Sequence, residues 1–215
     1  MNVQVKICGV RTPADVDAVA EAGADWLGYV FFGPSPRAVT PGEAAALDRH
    51  MRGSGYRSGR SPARVGLFVE PGDAEVEQTL AAVQLDAMQV HASLERAAAL
   101  RIRFGIPVWH AVGVGAAGDL PARSPGVDRL LLDARPPAGA TLPGGNAAAF
   151  EWAVLQGWAA PAPWLLAGGL TPGNVAEAIR ISGARAVDVS SGVERARGVK
   201  DAGLIRDFVR AAKVA

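Results

Sequence analysis

Short apolar runs alternate with longer stretches of helical periodicity from one end of the chain to the other. The runs "VQVKICG", "WLGYVFF", "ARVGLFVE", "AMQVHA", "PVWHAVGV", "RLLLDA", "WLLAGGL" and "AVDVSSG" read as strands. Most are apolar on successive residues rather than on every second one, as expected of strands covered on both faces. Between them, "TPADVDAVAEAGA", "DAEVEQTLAAVQ", "SLERAAALRIRFG" and "TPGNVAEAIRISGA" read as helices. Thr12 before Pro13 and Thr171 before Pro172 each predict an N-cap followed by proline at the first helical position. Gly23, Gly105 and Gly183 fall where a helix should stop. The fifth unit is the weakest, because "AAGDLPARSPGV" carries two prolines and has room for little more than one turn.

Eight such βα pairs within 215 residues predict a single-domain α/β protein over residues 1–215, a (β/α)8 TIM barrel. An open doubly wound sheet is the competing arrangement, and it needs a reversal of strand order that the pattern does not announce. In a barrel the chemistry sits at the carboxyl ends of the strands, and the opposite face serves stability. Cys8, Asp133 and the glycines of "LAGGL" and "VSSGV" all fall at those carboxyl ends.

Composition narrows the partners. Lys+Arg 22 against Asp+Glu 21 gives a net charge of +1, which offers no reason to expect nucleic acid or an anionic membrane. Any anion must be caught locally. A single cysteine forms no internal disulfide, so a reducing cytoplasm is the expected location. The first strand begins almost at Met1, leaving no room for a signal sequence, and no apolar run has the length of a membrane span. The segment "RGSGYRSGRSPAR", residues 52–64, reads as a flexible solvated connection on the face away from the site rather than as a nucleic-acid patch.

Several residues carry candidate chemistry. Gly168 and Gly169 in "AGGL", and Ser190, Ser191 and Gly192 in "SSGVE", follow the seventh and eighth strands. In barrels, backbone N–H groups of those loops often hold a phosphate. Asp133 ends an apolar strand, where partial desolvation raises a carboxyl pKa and suits a general acid. Arg37 lies in the proline-stiffened loop "GPSPRAVTP" and can grip a carboxylate through two parallel hydrogen bonds. Cys8 needs only a modest lowering of its pKa to act as a base near neutral pH. His50, His91 and His110 show no metal-ligand spacing, so no metal is expected, and a thiol and a carboxylic acid moving protons need no cofactor. Trp26, Trp109, Trp152 and Trp164 read as packing residues, with Trp158 near a helix end.

Taken in order, "KICG", "SPR", "LLD", "AGGL" and "DVSSGVE" make the chain resemble the phosphoribosylanthranilate isomerase family of tryptophan biosynthesis over nearly its whole length. The resemblance implies a cofactor-free Amadori rearrangement of phosphoribosylanthranilate, a small-molecule substrate. It implies Asp133 as the general acid on the ring oxygen and Cys8 as the general base at C2. It assigns Arg37 to the anthranilate carboxylate, the glycine segments to the phosphate and Asp188 to the sugar hydroxyls. Gly144 and Gly145 join the substrate-binding set through "LPGG". The chain departs from the family pattern at Asn146 and Ala147, where many members read G-G-T-G, and at Ala92, where "QVHAS" replaces Q-L-H-G. Both changes bear on substrate affinity. A barrel isomerase or epimerase for another sugar phosphate, or a non-catalytic barrel that binds a phosphorylated ligand, are the competing functions. The sequence leaves the choice between monomer and homodimer open.

Overall fold

A computed structural model describes residues 3–54, 56, 61–135 and 150–215. Eight parallel strands close into a barrel in chain order. They are β1 (Gln4–Cys8), β2 (Trp26–Val30), β3 (Ala63–Val69), β4 (Ala87–His91), β5 (Val108–Val114), β6 (Arg129–Ala134), β7 (Trp164–Leu166) and β8 (Ala186–Val189). The barrel shuts where β1 pairs with β8, Lys6 lying beside Asp188. Helices α1 (Pro13–Glu21), α2 (Pro41–Gly53), α3 (Asp73–Ala82), α4 (Leu94–Phe104), α5 (Val175–Ser182) and α6 (Ala202–Lys213) cover the outside. A short antiparallel pair, β9 (Glu194–Ala196) and β10 (Val199–Lys200), is inserted between β8 and α6.

Alternation along each strand splits the buried residues into two sets. Outward-facing Val5, Ile7, Leu27, Phe68, Met88, Leu130, Leu132 and Val187 meet helix residues such as Val16, Val19, Leu47, Leu100, Ile205 and Phe208 in the larger core. The apolar stripe of α6, Ile205, Phe208, Val209 and Ala212, has the spacing of one helix face and is fully buried. Inward-facing Trp26, Val65, Ala87, Trp109, Leu131, Leu165, Ala167 and Ala186 fill the barrel itself. Trp26 and Trp109 meet edge to face with centroids 5.1 Å apart. The Arg129 guanidinium lies 5.2 Å from the Trp26 ring and 5.7 Å from the Trp109 ring, a cation–π plug at the amino end. With that end filled, the accessible chemistry belongs to the other rim.

Helix punctuation follows the local sequence in most places. Thr12 caps α1 in a reciprocal capping box with Asp15, and Pro13 takes the first helical position. Gly105 and Gly183 adopt left-handed conformations with φ of 70° and 71° at the ends of α4 and α5. Thr171–Pro172 is a correction: α5 begins at Val175, and Asn174 occupies the N-cap. The reason is a long reach by the Asn174 side chain, which accepts from the Thr171 N–H at 2.7 Å and donates to the Gly169 carbonyl at 3.0 Å. Residues 171–174 are thereby held as a turn that braces the glycine loop. The fifth unit has only a three-residue 3-10 turn, Ala117–Asp119. Among the described residues the sixth unit likewise has only a 3-10 turn, Trp152–Leu155, which Gly157 at φ 76° and the following prolines prevent from extending.

Of the 52–64 segment, both described ends are tied down. Arg52 donates to Asp48 at 2.8 Å, and Arg64 pairs with Asp48 at 2.9 Å and Asp86 at 2.7 Å. Their charges are therefore committed to structure rather than offered to a polyanion.

Candidate active site

Strand order brings the two chemical candidates to one rim. Cys8 ends β1 and Asp133 lies one residue before the end of β6, with only β8 and β7 between them around the barrel. Both belong to the inward-facing set, since β1 alternates Gln4, Lys6 and Cys8 inward against Val5 and Ile7 outward. Two further charged residues occupy the space between the candidates. Lys6 is completely buried, and its Nζ donates to Asp188 Oδ1 at 2.8 Å.

The electrostatics of this cluster can be read group by group. Asp133 touches solvent at the open end, yet its carboxyl is deep enough for desolvation to raise its pKa to about 7. Repulsion from Asp188 adds to the rise, while the Ala134 N–H bond at 2.8 Å and the Lys6 charge oppose it. A carboxyl poised near neutrality matches the expected acid. Cys8 differs from expectation: burial pushes its thiol above the ordinary value, and Lys6 and Lys200 only partly pull it back. The cause is its 3 % exposure at the strand end, which leaves a thiolate poorly solvated. Polar groups nevertheless line the thiol. A Cβ on Gly28 would lie 3.0 Å from Cys8 Sγ and 3.1 Å from Lys6 Nζ, so both face this glycine.

Arg37 is also buried, at 5 % exposure, and its stem packs across Gly9. Its fork is already engaged, with Nε donating to Glu194 Oε1 at 2.7 Å and Nη2 to Oε2 at 3.0 Å. Glu194 in turn accepts from Lys200 Nζ at 2.9 Å and from the Gly198 N–H at 3.0 Å. These partners hold its carboxyl down to about 2, against the cost of its burial. Lys200 continues the chain to the Ser190 carbonyl at 2.9 Å, and Ser190 Oγ donates to the Cys8 carbonyl at 3.1 Å. The β9–β10 hairpin thus fastens the Arg37 loop to β1. Asp188, expected at the sugar hydroxyls, has one oxygen committed to Lys6.

The two glycine segments meet as the spacing predicted. A Cβ on Gly192 would fall 1.8 Å from the Leu170 carbonyl oxygen, so only glycine lets the loops after β7 and β8 touch. Gly168, at φ 86°, passes so close to β6 that a Cβ there would lie 3.0 Å from Asp133 Oδ1. Among the described residues, the backbone N–H groups of Gly168, Gly169, Ser191 and Gly192 have no protein acceptor. Unpaired backbone N–H groups of this kind are suited to an anion. Gly144, Gly145, Asn146 and Ala147 lie outside the described residues. Ala92, whose carbonyl accepts from or faces His110 Nε2 at 3.0 Å, follows β4 on the same rim.

Lys6, Glu194 and Lys200 were missing from the sequence-based set. Lys6 left a signal, a lone charge at an inward position inside "VQVKICG". Glu194 and Lys200 left none, because an exposed hairpin and a buried one have the same composition.

A closed parallel barrel with a plugged amino end and a polar carboxyl-end mouth defines a (β/α)8 protein that acts on a small molecule. The profile described as "PRAI: N-(5'phosphoribosyl)anthranilate (PRA) isomerase" matches residues 5–211. The N-(5'-phosphoribosyl)anthranilate isomerase of Acidiphilium cryptum (strain JF-5) is 54% identical over 212 residues, covering 99% of each chain. The crystal structure of phosphoribosyl anthranilate isomerase from Thermotoga maritima superposes with TM-score 0.83 at 33% identity, covering 99% of this chain and 100% of that one. A crystal structure of the isomerase in complex with reduced 1-(o-carboxyphenylamino)-1-deoxyribulose 5-phosphate gives TM-score 0.79 at 32% identity, with 99% and 100% covered. The chain belongs to the N-(5'-phosphoribosyl)anthranilate isomerase family.

Proposed function

We propose that this protein catalyses the Amadori rearrangement of N-(5'-phosphoribosyl)anthranilate to 1-(2-carboxyphenylamino)-1-deoxyribulose 5-phosphate, with Asp133 as general acid and Cys8 as general base. One observation carries the reading: a carboxyl with its pKa near 7 and a thiol share one barrel mouth, separated by a single buried ion pair. Asp133 in its acid form protonates the furanose ring oxygen as the anilino nitrogen pushes electrons into C1, and the ring opens to an iminium. The adjacent C2 proton then becomes acidic enough for a thiolate to remove, giving an enolamine. Protonation at C1 and loss of the enol proton yield the ketone, so the reaction is an isomerisation without net proton change.

The remaining residues bind. Gly168, Gly169, Ser190, Ser191 and Gly192 cradle the phosphate through backbone groups, and the family resemblance adds Gly144 and Gly145 to the substrate-binding set. Arg37 meets the anthranilate carboxylate through the guanidinium edge that Glu194 leaves open, in place of the fully available fork expected from the loop alone. Asp188 keeps one oxygen for a sugar hydroxyl while the other anchors Lys6. We place the protein in the cytoplasm; among the described residues no helix is long and apolar enough to cross a membrane, and the one cysteine is a free thiol.

Loss of anthranilate fluorescence on adding purified protein to phosphoribosylanthranilate tests the activity. The parent is expected to turn over, with Cys8→Ala and Asp133→Asn each at least roughly a hundredfold slower. Parental rates in both variants would remove the pair from the mechanism. Arg37→Ala separates the reading from another sugar-phosphate isomerase: an unchanged KM would mean that no anthranilate carboxylate is held there.

A further inference from the structure

Lys6 is a fully buried cation at the mouth that the mechanism above does not use. Burying an ammonium is unfavourable unless a counter-charge repays it. Asp188 supplies that charge at 2.8 Å, yet an apolar pair at the same positions would knit β1 to β8 at no such cost. The geometry shows what the ion pair adds. Cys8 Sγ and Lys6 Nζ lie 3.0 and 3.1 Å from the point where a Gly28 side chain would begin, so thiol and ammonium border the same space that glycine leaves on β2.

We propose that Lys6 is a positioning residue for the base: its ammonium, anchored by Asp188, is the counter-charge that stabilises the Cys8 thiolate while the C2 proton is removed. The inference rests on the assignment of Cys8 as base. Other charged groups face the thiol as well. Asp188 from β8 opposes the thiolate, and Lys200 from β10 supports it from the far side of Ser190. His91 on β4 contributes no charge, since burial and the nearby Lys6 and His110 lower its pKa to about 4. Asp133 on β6 feels both Asp188 and Lys6, so the ion pair also couples acid to base. Lys6 itself remains charged, because Asp188 and Cys8 outweigh the effect of its burial.

Because Cys8 is the only cysteine, alkylation by iodoacetamide reports on it alone. Rates followed by mass spectrometry across roughly pH 6 to 10.5 give the thiol midpoint from the shape of the curve, whatever the accessibility. Lys6→Met keeps the length and removes the charge. It is expected to raise the midpoint by about one unit or more, making alkylation near pH 8.5 about tenfold slower. Asp188→Asn should move the midpoint the opposite way, a pair of signs that loss of packing does not produce. A folded Lys6→Met variant with an unmoved midpoint overturns the proposal. If Lys6→Met does not fold, Lys6→Gln decides by the same criterion: a higher midpoint supports the proposal, and an unmoved one overturns it. No substrate enters this measurement, so failure here is distinct from failure of Cys8 as base, which full turnover by Cys8→Ala would show.

Discussion

Replacing Glu194 by glutamine tests how the site is held together. The carboxylate sits between two cations with almost no solvent, the side chains being 6 % exposed at Arg37, 1 % at Lys200 and 4 % at Glu194 itself. A surface pair would contribute only about 0.2–1 kcal/mol, but removing one partner from a buried set leaves uncompensated charge and costs about 3–5 kcal/mol. Here the lost partner serves both cations, and one end of the new amide points an N–H toward donors at Arg37 Nη2 or the Gly198 N–H. We therefore expect Glu194→Gln to lose stability at the upper part of that range, lowering Tm by roughly 10 °C or more for a chain of this size. The pH dependence has a definite sign. The Glu194 pKa is held down to about 2 in the fold, so its contribution is complete above the ordinary carboxylate range and is lost as pH falls through that range toward 2. Urea unfolding followed by tryptophan fluorescence at several pH values measures both effects. The gap between parent and variant should be widest near neutrality and narrow in acid. A gap below about 1 kcal/mol, or one independent of pH, would refute the picture of a desolvated Arg37–Glu194–Lys200 cluster.

Two further outcomes follow from the site. On the proposed mechanism the productive pair is an Asp133 acid with a Cys8 thiolate, although burial raises the carboxyl pKa to about 7 and lifts the thiol above its ordinary value. Accordingly kcat/KM should rise with pH to about 7, stay flat until the thiol titrates and then fall, and Asp133→Asn should abolish the break near 7 while retaining the rise below it; a break that survives the substitution assigns it to another group. Gly192→Ala places a methyl group against the Leu170 carbonyl, so it should cost about 1–3 kcal/mol in unfolding and raise KM through the displaced phosphate loops; a variant with parental stability and KM would contradict that packing.

The parts of this fold legible in the sequence are those encoded locally. Apolar runs, the Thr12 N-cap before Pro13 and the glycines after α4 and α5 each depend on neighbours a few residues away. The Thr171–Pro172 helix start failed because Asn174 answers to Gly169, across a turn rather than along a helix. The working partnerships of the site span much greater separations. Arg37 finds Glu194 across 157 residues, and Lys6 finds Asp188 across 182, contacts that exist only once the barrel closes. Family motifs pointed to Cys8, Arg37 and Asp133, but not to the sharing of the Arg37 fork with Glu194 or to the burial that raises the Cys8 thiol. Those are properties of enclosure, and strand patterns contain no information about solvent access at a rim.

A crystal structure of this chain with reduced 1-(o-carboxyphenylamino)-1-deoxyribulose 5-phosphate tests the central claim most directly. The carbon corresponding to C2 should lie about 3.5 Å from Cys8 Sγ, with the Asp133 carboxyl reaching the oxygen that closes the furanose ring and the phosphate on the Gly168–Gly169 and Ser191–Gly192 loops. A sugar chain held beyond reach of either the thiol or the carboxyl would contradict the account.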